Sequence, residues 1–294
     1  MEKVITASIP AHLLNFLRPG ATGEILLVSS SGLYLRFCEQ ILLLSDQSWG
    51  VLPIGIGVEN FEQAVHFLRP QQGQPVTVTE NGLVFQSGRI CLVTRNPQPD
   101  SVCAGSPQPN LIRQAAVELA SLRKERGISM LAQPLLLGGA PDEILKKNPY
   151  CAHGYPYLSR LMVALYQGDS GAIHSCVEKL LGLGPGLTPS ADDVLLGMLY
   201  VFRALPRKVP KGARVFQESV GQLCDRCTNQ VSAAYLKEIL AGAPFERMEQ
   251  VFRGLCGEEK LDIEKLTQIG SSSGSEMLLG MLIALQICIG TGER

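Results

Sequence analysis

The pattern of apolar and polar residues changes period near residue 100. Before it, short apolar runs are cut by turn residues. Glu24 to Ser29 and Leu33 to Cys38 flank the run Ser29-Ser30-Ser31-Gly32, and Ile41 to Leu44 follows. Val76-Thr77-Val78-Thr79 alternates, and Asn81-Gly82 is a strong hairpin signal. Leu83-Val84-Phe85, a turn at Ser87-Gly88 and Ile90 to Thr94 continue the series. One helix is predicted within it, where Asn60 and Gln63 form a capping pair ahead of Ala64, Val65, Phe67 and Leu68. Many short strands with glycine turns predict a small barrel or sandwich.

Four prolines between Asn96 and Pro109 interrupt the pattern and read as a linker. Beyond them the period is helical. Leu111, Ile112, Ala115, Ala116, Leu119, Ala120 and Leu122 share one face. Further helices are predicted at 158–166, 172–181, 194–205, 215–240, 245–255 and 277–289, with no strand pattern among them. The expected fold is therefore α+β: a β-rich domain over 1–100, a Pro-rich linker at 101–109 and an all-α domain over 110–294.

Two of these helices, 194–205 and 277–289, are apolar on nearly every side, so they belong in the middle of a bundle. Each follows one motif. Ser190-Ala191-Asp192-Asp193-Val194-Leu195-Leu196-Gly197-Met198-Leu199 is echoed by Ser273-Gly274-Ser275-Glu276-Met277-Leu278-Leu279-Gly280-Met281-Leu282. Ser-x-x-acid ahead of an apolar run is a capping-box pattern. Two capped helix starts inside a bundle carry N–H groups and partial positive charge that suit a small anionic or polar ligand.

Composition narrows the classes. The chain has 294 residues, 46% of them hydrophobic, 18% charged, with a net charge of −1. Near-neutral charge and scarce aromatics offer no nucleic-acid or anionic-membrane surface. The low charged content fits a subunit interface, and a homo-oligomer is one expectation. The N-terminus lacks the basic and apolar segments of a secretory signal, and the apolar run Met277 to Gly290 contains Gln286 and is short for a membrane span, so a cytoplasmic protein is expected. Nine scattered cysteines argue against a disulfide framework. Cys224-x-x-Cys227 has no second pair at metal-ligand spacing.

Candidate chemistry gathers at three segments. Gly182-Leu183-Gly184-Pro185-Gly186-Leu187-Thr188-Pro189-Ser190 leads into the paired acids Asp192 and Asp193, the candidate catalytic groups. Its spacing is neither that of a dinucleotide fingerprint nor that of a P-loop. Gly184 and Gly186 allow close backbone approach, and Thr188 and Ser190 offer hydroxyls. Ser272, Ser273, Gly274 and Glu276 open the second buried helix and form an expected facing cradle. Thr228 and Ser232, four apart, are placed on one face of the helix predicted over 215–240. His153, read as a loop residue, is the best catalytic candidate among the histidines, though a surface role suits it better. No metal-ligand spacing and no Ser-His-Asp order are visible.

The run from Leu180 to Asp193 resembles the signature of a bacterial family that includes a subunit of oxamate carbamoyltransferase. Family members usually have Gly where Ala191 stands here. Thr228-Asn229-x-x-Ser232 resembles a second family motif with Asn229 departing from Thr, and Ser272-Ser273-Gly274-Ser275-Glu276 a third, usually ending in Asp. The resemblance covers the helical part. It implies a cytoplasmic transferase subunit of anaerobic allantoin (purine) breakdown, working with two other chains to convert oxalurate and phosphate to oxamate and carbamoyl phosphate.

The residues suit such ligands in kind. A carboxylate accepts from hydroxyls and helix N–H groups, and ureido N–H groups donate to Asp192 or Asp193. Acids crowded at an anion site repel it unless one is protonated or a cation intervenes. The residues call for no cofactor, with Mg²⁺ bridging Asp192 and a phosphate as the alternative relief. Two other function classes stay open: a non-catalytic ligand-binding or scaffolding subunit, and a metal-dependent enzyme using Asp192 and Asp193.

Overall fold

A computed structural model describes residues 4–29, 32–95, 105–122, 127–205 and 209–292. The chain divides into two compact units, 1–101 with 243–247, and 102–242 with 248–294. Residues 101–104 of the expected linker lie outside the described residues.

The first unit is a closed barrel of eight strands: β1 (Val4–Pro10), β2 (Thr22–Val28), β3 (Leu33–Phe37), β4 (Gln40–Asp46), β5 (Gly55–Val58), β6 (Pro75–Thr79), β7 (Gly82–Phe85) and β8 (Gly88–Arg95). Their order around the ring is β1-β5-β4-β3-β2-β6-β7-β8. Closure leaves no edge strand to pair with another chain. Alternation drives it: Leu33, Leu35 and Phe37 of β3 are buried, while Tyr34 and Arg36 are only partly so. Two short helices accompany the strands, α1 (Ala11–Leu14) and α2 (Phe61–Leu68). Phe61, Ala64 and Leu68 of α2 join the barrel core.

Two local readings are corrected here. Asn60 does not cap α2: its backbone is left-handed and its side chain makes no cap bond. The Phe61 N–H is instead accepted by Asp46 at 3.4 Å. The β6–β7 hairpin forms, but Thr79 pairs with Gly82, so Glu80 and Asn81 occupy the turn centre. Gly82 serves close approach: a Cβ there would lie 1.9 Å from the Ile90 carbonyl oxygen. Strands β1 and β5 were not predicted, because Val-Ile-Thr-Ala-Ser-Ile-Pro mixes polar residues without clear alternation and Gly-Ile-Gly-Val lacks β-forming bulk.

The described elements of the second unit are helical. They are α3 (Pro109–Ser121), α4 (Ala132–Leu136), α5 (Asp142–Lys147), α6 (Pro149–Gln167), α7 (Ser170–Leu180), α8 (Ser190–Ala204), α9 (Ala213–Cys227), α10 (Gln230–Ala241), α11 (Glu246–Leu255), α12 (Glu264–Thr267) and α13 (Ser273–Gly292), with a one-turn helix at Ser129–Leu131; a second one-turn helix, Gln47–Trp49, belongs to the first unit. The helix expected over 215–240 is two. Thr228 is extended and ends α9, and the Asn229 side chain caps α10 by accepting from the Val231 and Ser232 N–H groups. Asn is a favoured N-cap, so the break had a signal in the sequence. His153 lies exposed within α6 rather than in a loop.

The two helices expected at the centre are there. Every residue of α8 from Ser190 to Phe202 is buried, and Met277 to Leu285 of α13 are buried throughout. By length and composition α13 could cross a membrane, yet 78% of its Ser273–Gly290 stretch is buried inside the protein. Burial on all sides, rather than lipid contact, accounts for its apolar sequence.

Candidate functional site

The repeated motif is the contact surface of α8 with α13. A Cβ at Gly197 would lie 2.1 Å from the Met277 carbonyl oxygen and 2.9 Å from the Met281 nitrogen. A Cβ at Gly280 would lie 1.9 Å from the Val194 carbonyl oxygen and 3.1 Å from the Met198 nitrogen. In the repeat, 194 corresponds to 277, 197 to 280 and 198 to 281. The contact is therefore reciprocal, as a local two-fold axis between the helices requires. Backbone meets backbone because neither glycine carries a side chain.

The capping boxes do not form. Pro189 precedes α8 as N-cap without a side-chain cap, and Ser190 is already in the first turn. The Asp192 and Asp193 N–H groups are accepted by the Pro189 carbonyl, those of Ser275 and Glu276 by the Ser272 carbonyl, and that of Gly274 by Ile269. Ala191 donates to the Leu183 carbonyl at 2.9 Å. With these donors taken by backbone, the acids are free to point elsewhere.

Asp192 points into the Gly-rich lead-in. One carboxylate oxygen accepts from the Gly182 N–H at 2.7 Å. The other accepts from the Ser232 hydroxyl at 2.6 Å and from the Thr228 hydroxyl. Thr228 and Ser232 thus share a partner while sitting on either side of a helix break, not on one helical face. Burial pushes the Asp192 pKa up, and the bonds from Ser232, Thr228 and Gly182 pull it down. The loop it holds has φ of +79° at Gly182, +127° at Gly184 and +95° at Gly186, left-handed values that favour glycine. Gly184 packs on Ser190, whereas Gly186 faces open space.

Asp193 points to the other side. It is 1% exposed, and its Oδ2 has no hydrogen-bond partner among the described residues; nor has the buried Ser190 hydroxyl on the same face, three residues earlier. Burial drives its pKa well above the usual carboxylate range and the charge of Glu276 adds to this, while the Ser273 hydroxyl opposes it, Asp192 raises it further and the Thr188 hydroxyl opposes it. Thr188 and Ser273, both half-buried, join hydroxyl to hydroxyl at 3.0 Å beside Asp193.

Glu276, the counterpart of Asp193 in the repeat, accepts from the Ile128 N–H at 2.9 Å and the Ser272 hydroxyl at 3.1 Å. Gly274 is not part of this surface: a Cβ there would lie 1.7 Å from the Leu266 carbonyl oxygen, so it backs onto the preceding chain. Ser275 is buried, and its hydroxyl has no hydrogen-bond partner among the described residues.

Sequence reasoning missed the residues that receive Glu276. Gly127 leaves room for it, since a Cβ would lie 2.0 Å from Oε1. Asn148 donates to the Gly127 carbonyl at 2.8 Å and caps α6 through Tyr150 and Cys151. The Cys151 thiol is pushed up to about 12 by burial and by the charge of Glu276. The Asn148-Pro149 pair, a cap followed by proline in the first turn, was the available signal. Asn148→Ala should destabilise the protein by about 2 kcal/mol, from the lost cap and the orphaned carbonyl, with Asn148→Ser recovering about half. Urea denaturation measures this, and a loss below about 0.5 kcal/mol would contradict the assignment.

The carboxyl pair, the hydroxyls around it and the Gly-rich loop form one constellation. Residues 180–285 match the family model described as oxamate carbamoyltransferase subunit AllH. The match spans just over a third of the chain and contains the Gly-rich loop, both acids, Thr228, Ser232 and the start of α13. The resemblance read from the three motifs is thereby supported over the whole stretch that joins them. Gly127, Asn148 and Cys151 lie outside the AllH match. No solved structure matches the chain.

Proposed function

We propose that this chain is a subunit of a carbamoyltransferase that converts oxalurate and phosphate to oxamate and carbamoyl phosphate in allantoin breakdown, together with partner chains. Its small-anion site lies at the paired starts of α8 and α13. The observation that carries this reading is Asp193, a buried acid with an unpartnered oxygen inside the AllH-matching segment. Burial and the charge of Glu276 favour its neutral form, which lessens the conflict that crowded acids pose to an anion.

Roles follow from the contacts. Asp192 holds the Gly-rich loop, with its oxygens directed at three protein donors. Thr188, Ser190, Ser272 and Ser273 supply hydroxyls, and Gly184 and Gly186 shape the loop. The chemistry rests on positioning and electrostatics, since among the described residues no Ser-His-Asp or Cys-His arrangement stands beside Asp193. The assay is carbamoyl phosphate formation from oxalurate and phosphate by this chain combined with the partners that co-purify from its host. Asp193→Ala should lower kcat at least about tenfold while the complex still assembles on size exclusion. Full activity in that variant would assign the chain to scaffolding instead.

A further inference from the structure

Resting on the reading just given, we infer that the loop from Gly184 to Thr188 seats the phosphate, through its backbone N–H groups rather than through the neighbouring acids. Phosphate presents several strong acceptor oxygens and is matched by a row of donors. The loop supplies that row. Among the described residues the N–H groups of Gly184, Gly186, Leu187 and Thr188 have no hydrogen-bond acceptor. Nearby N–H groups are already spent: Gly182 on Asp192, Leu183 on the Leu180 carbonyl and Ala191 on the Leu183 carbonyl. The backbone alternates in hand along the row. Gly184 and Gly186 have φ of +127° and +95°, whereas Leu187 is not left-handed and the ring holds Pro185 at negative φ. Turns of this kind direct successive N–H groups into one concavity that receives an anion.

Three further observations support this placement. The loop is open to solvent: Pro185 and Gly186 are exposed, Gly184, Leu187 and Thr188 are half-buried, and a Cβ at Gly186 would meet nothing within 4 Å. An ion therefore reaches these donors without entering the space around the buried acids. The Ser190 hydroxyl is 1% exposed, has no partner among the described residues, and stands against the same loop, since a Cβ at Gly184 would lie 2.8 Å from its oxygen. A buried hydroxyl without a partner is costly, and a phosphate oxygen at Gly184 supplies the acceptor it lacks. The start of α8 adds partial positive charge on that side. Finally, the loop is held at both ends by bonds that leave the donor row free. Asp192 accepts from the Gly182 N–H, and the Thr188 hydroxyl joins that of Ser273 on α13. Both oxygens of Asp192 face protein donors, which offset its charge beside the anion.

The test compares Gly186→Asn with Gly186→Val in the complex of this chain with its partners. Both add a side chain in open space, so neither disturbs packing. Asn tolerates positive φ and keeps the N–H groups in place, whereas a β-branched residue there turns the backbone away. Titration calorimetry with inorganic phosphate, and with acetate as a simple carboxylate, reads the result. The wild type should bind phosphate at least about tenfold more tightly than acetate. Gly186→Asn should stay within about threefold of wild type, and Gly186→Val should weaken phosphate at least about tenfold. In the carbamoyl phosphate assay the Val variant should raise KM for phosphate and leave KM for oxalurate unchanged. Equal phosphate affinity in all three proteins, a wild type that binds acetate as tightly as phosphate, or a wild type that binds neither overturns this inference, and carbamoyl phosphate formation then still decides the transferase reading by itself. Phosphate binding that follows Gly186 in a complex that forms no carbamoyl phosphate from oxalurate overturns the transferase reading and keeps the phosphate seat.

Discussion

Gly197→Ala and Gly280→Ala should each cost the protein at least about 3 kcal/mol, enough to threaten folding in a domain whose total stability is on the order of 5–15 kcal/mol. By helix propensity alone the change favours Ala by about 0.5–1 kcal/mol, so the sign of the effect is diagnostic. The added methyl would stand 2.1 Å from the Met277 carbonyl oxygen in the first case and 1.9 Å from that of Val194 in the second. Neither neighbour is a side chain that can swing aside; the two helices must separate, and the buried packing between them loosens along its length. Gly221→Ala is the control. Gly221 is exposed on α9, and its Cβ would meet Leu240 at 3.5 Å, an ordinary contact, so the change should be neutral or mildly stabilising. The double variant should lose less than the two single losses together, because separation forced by one methyl makes room for the other. Thermal and urea unfolding measure all four proteins. A loss within about 0.5 kcal/mol for either central glycine would show that the reciprocal contact is not as close as described.

Asp192→Ala should also be severe, at about 3–5 kcal/mol, for a different reason. It orphans the Gly182 N–H and the Thr228 and Ser232 hydroxyls at a place where Asp192 itself is 1% exposed. Asp192→Asn keeps one acceptor oxygen, and the hydroxyls can turn to accept from the new amide, so the loss should fall to about 1–2 kcal/mol. Thr228→Val and Ser232→Ala in the Asp192→Ala background should cost much less than in the wild type, since their partner is already gone. Equal costs in both backgrounds would mean that the three side chains do not act together. This separates the adjacent acids: Asp192 variants should fail chiefly in stability, Asp193 variants chiefly in binding and turnover.

How much of this was legible depended on the range of the interaction. Strand β6 is visible from the alternation of Val76-Thr77-Val78-Thr79, and β3 from a short apolar run beside turn residues. β1 is not, because its place comes from pairing with the distant strands β5 and β8, and β5, Gly-Ile-Gly-Val, is not, because it lacks β-forming bulk. The apolar helices α8 and α13 were visible from composition along one segment. Their shared Ser-x-x-acid pattern suggested local capping, yet both acids turn away from the helix ends. Capping is a contest between a side chain and other acceptors, and here the Pro189 and Ser272 carbonyls take the N–H groups.

The sequence by itself determined the period change, the α+β division, the central helices and the segments that carry polar groups into the helical unit. These follow from residue volume, hydrophobicity and turn chemistry, which act over a few neighbours. Only the tertiary structure decided that the repeat is a glycine-to-backbone crossing with local two-fold symmetry, that Thr228 and Ser232 meet on Asp192, and that one buried Asp193 oxygen has no partner among the described residues. Those outcomes depend on which groups from distant segments reach each carboxylate first, and on the burial that makes any unmatched polar atom costly.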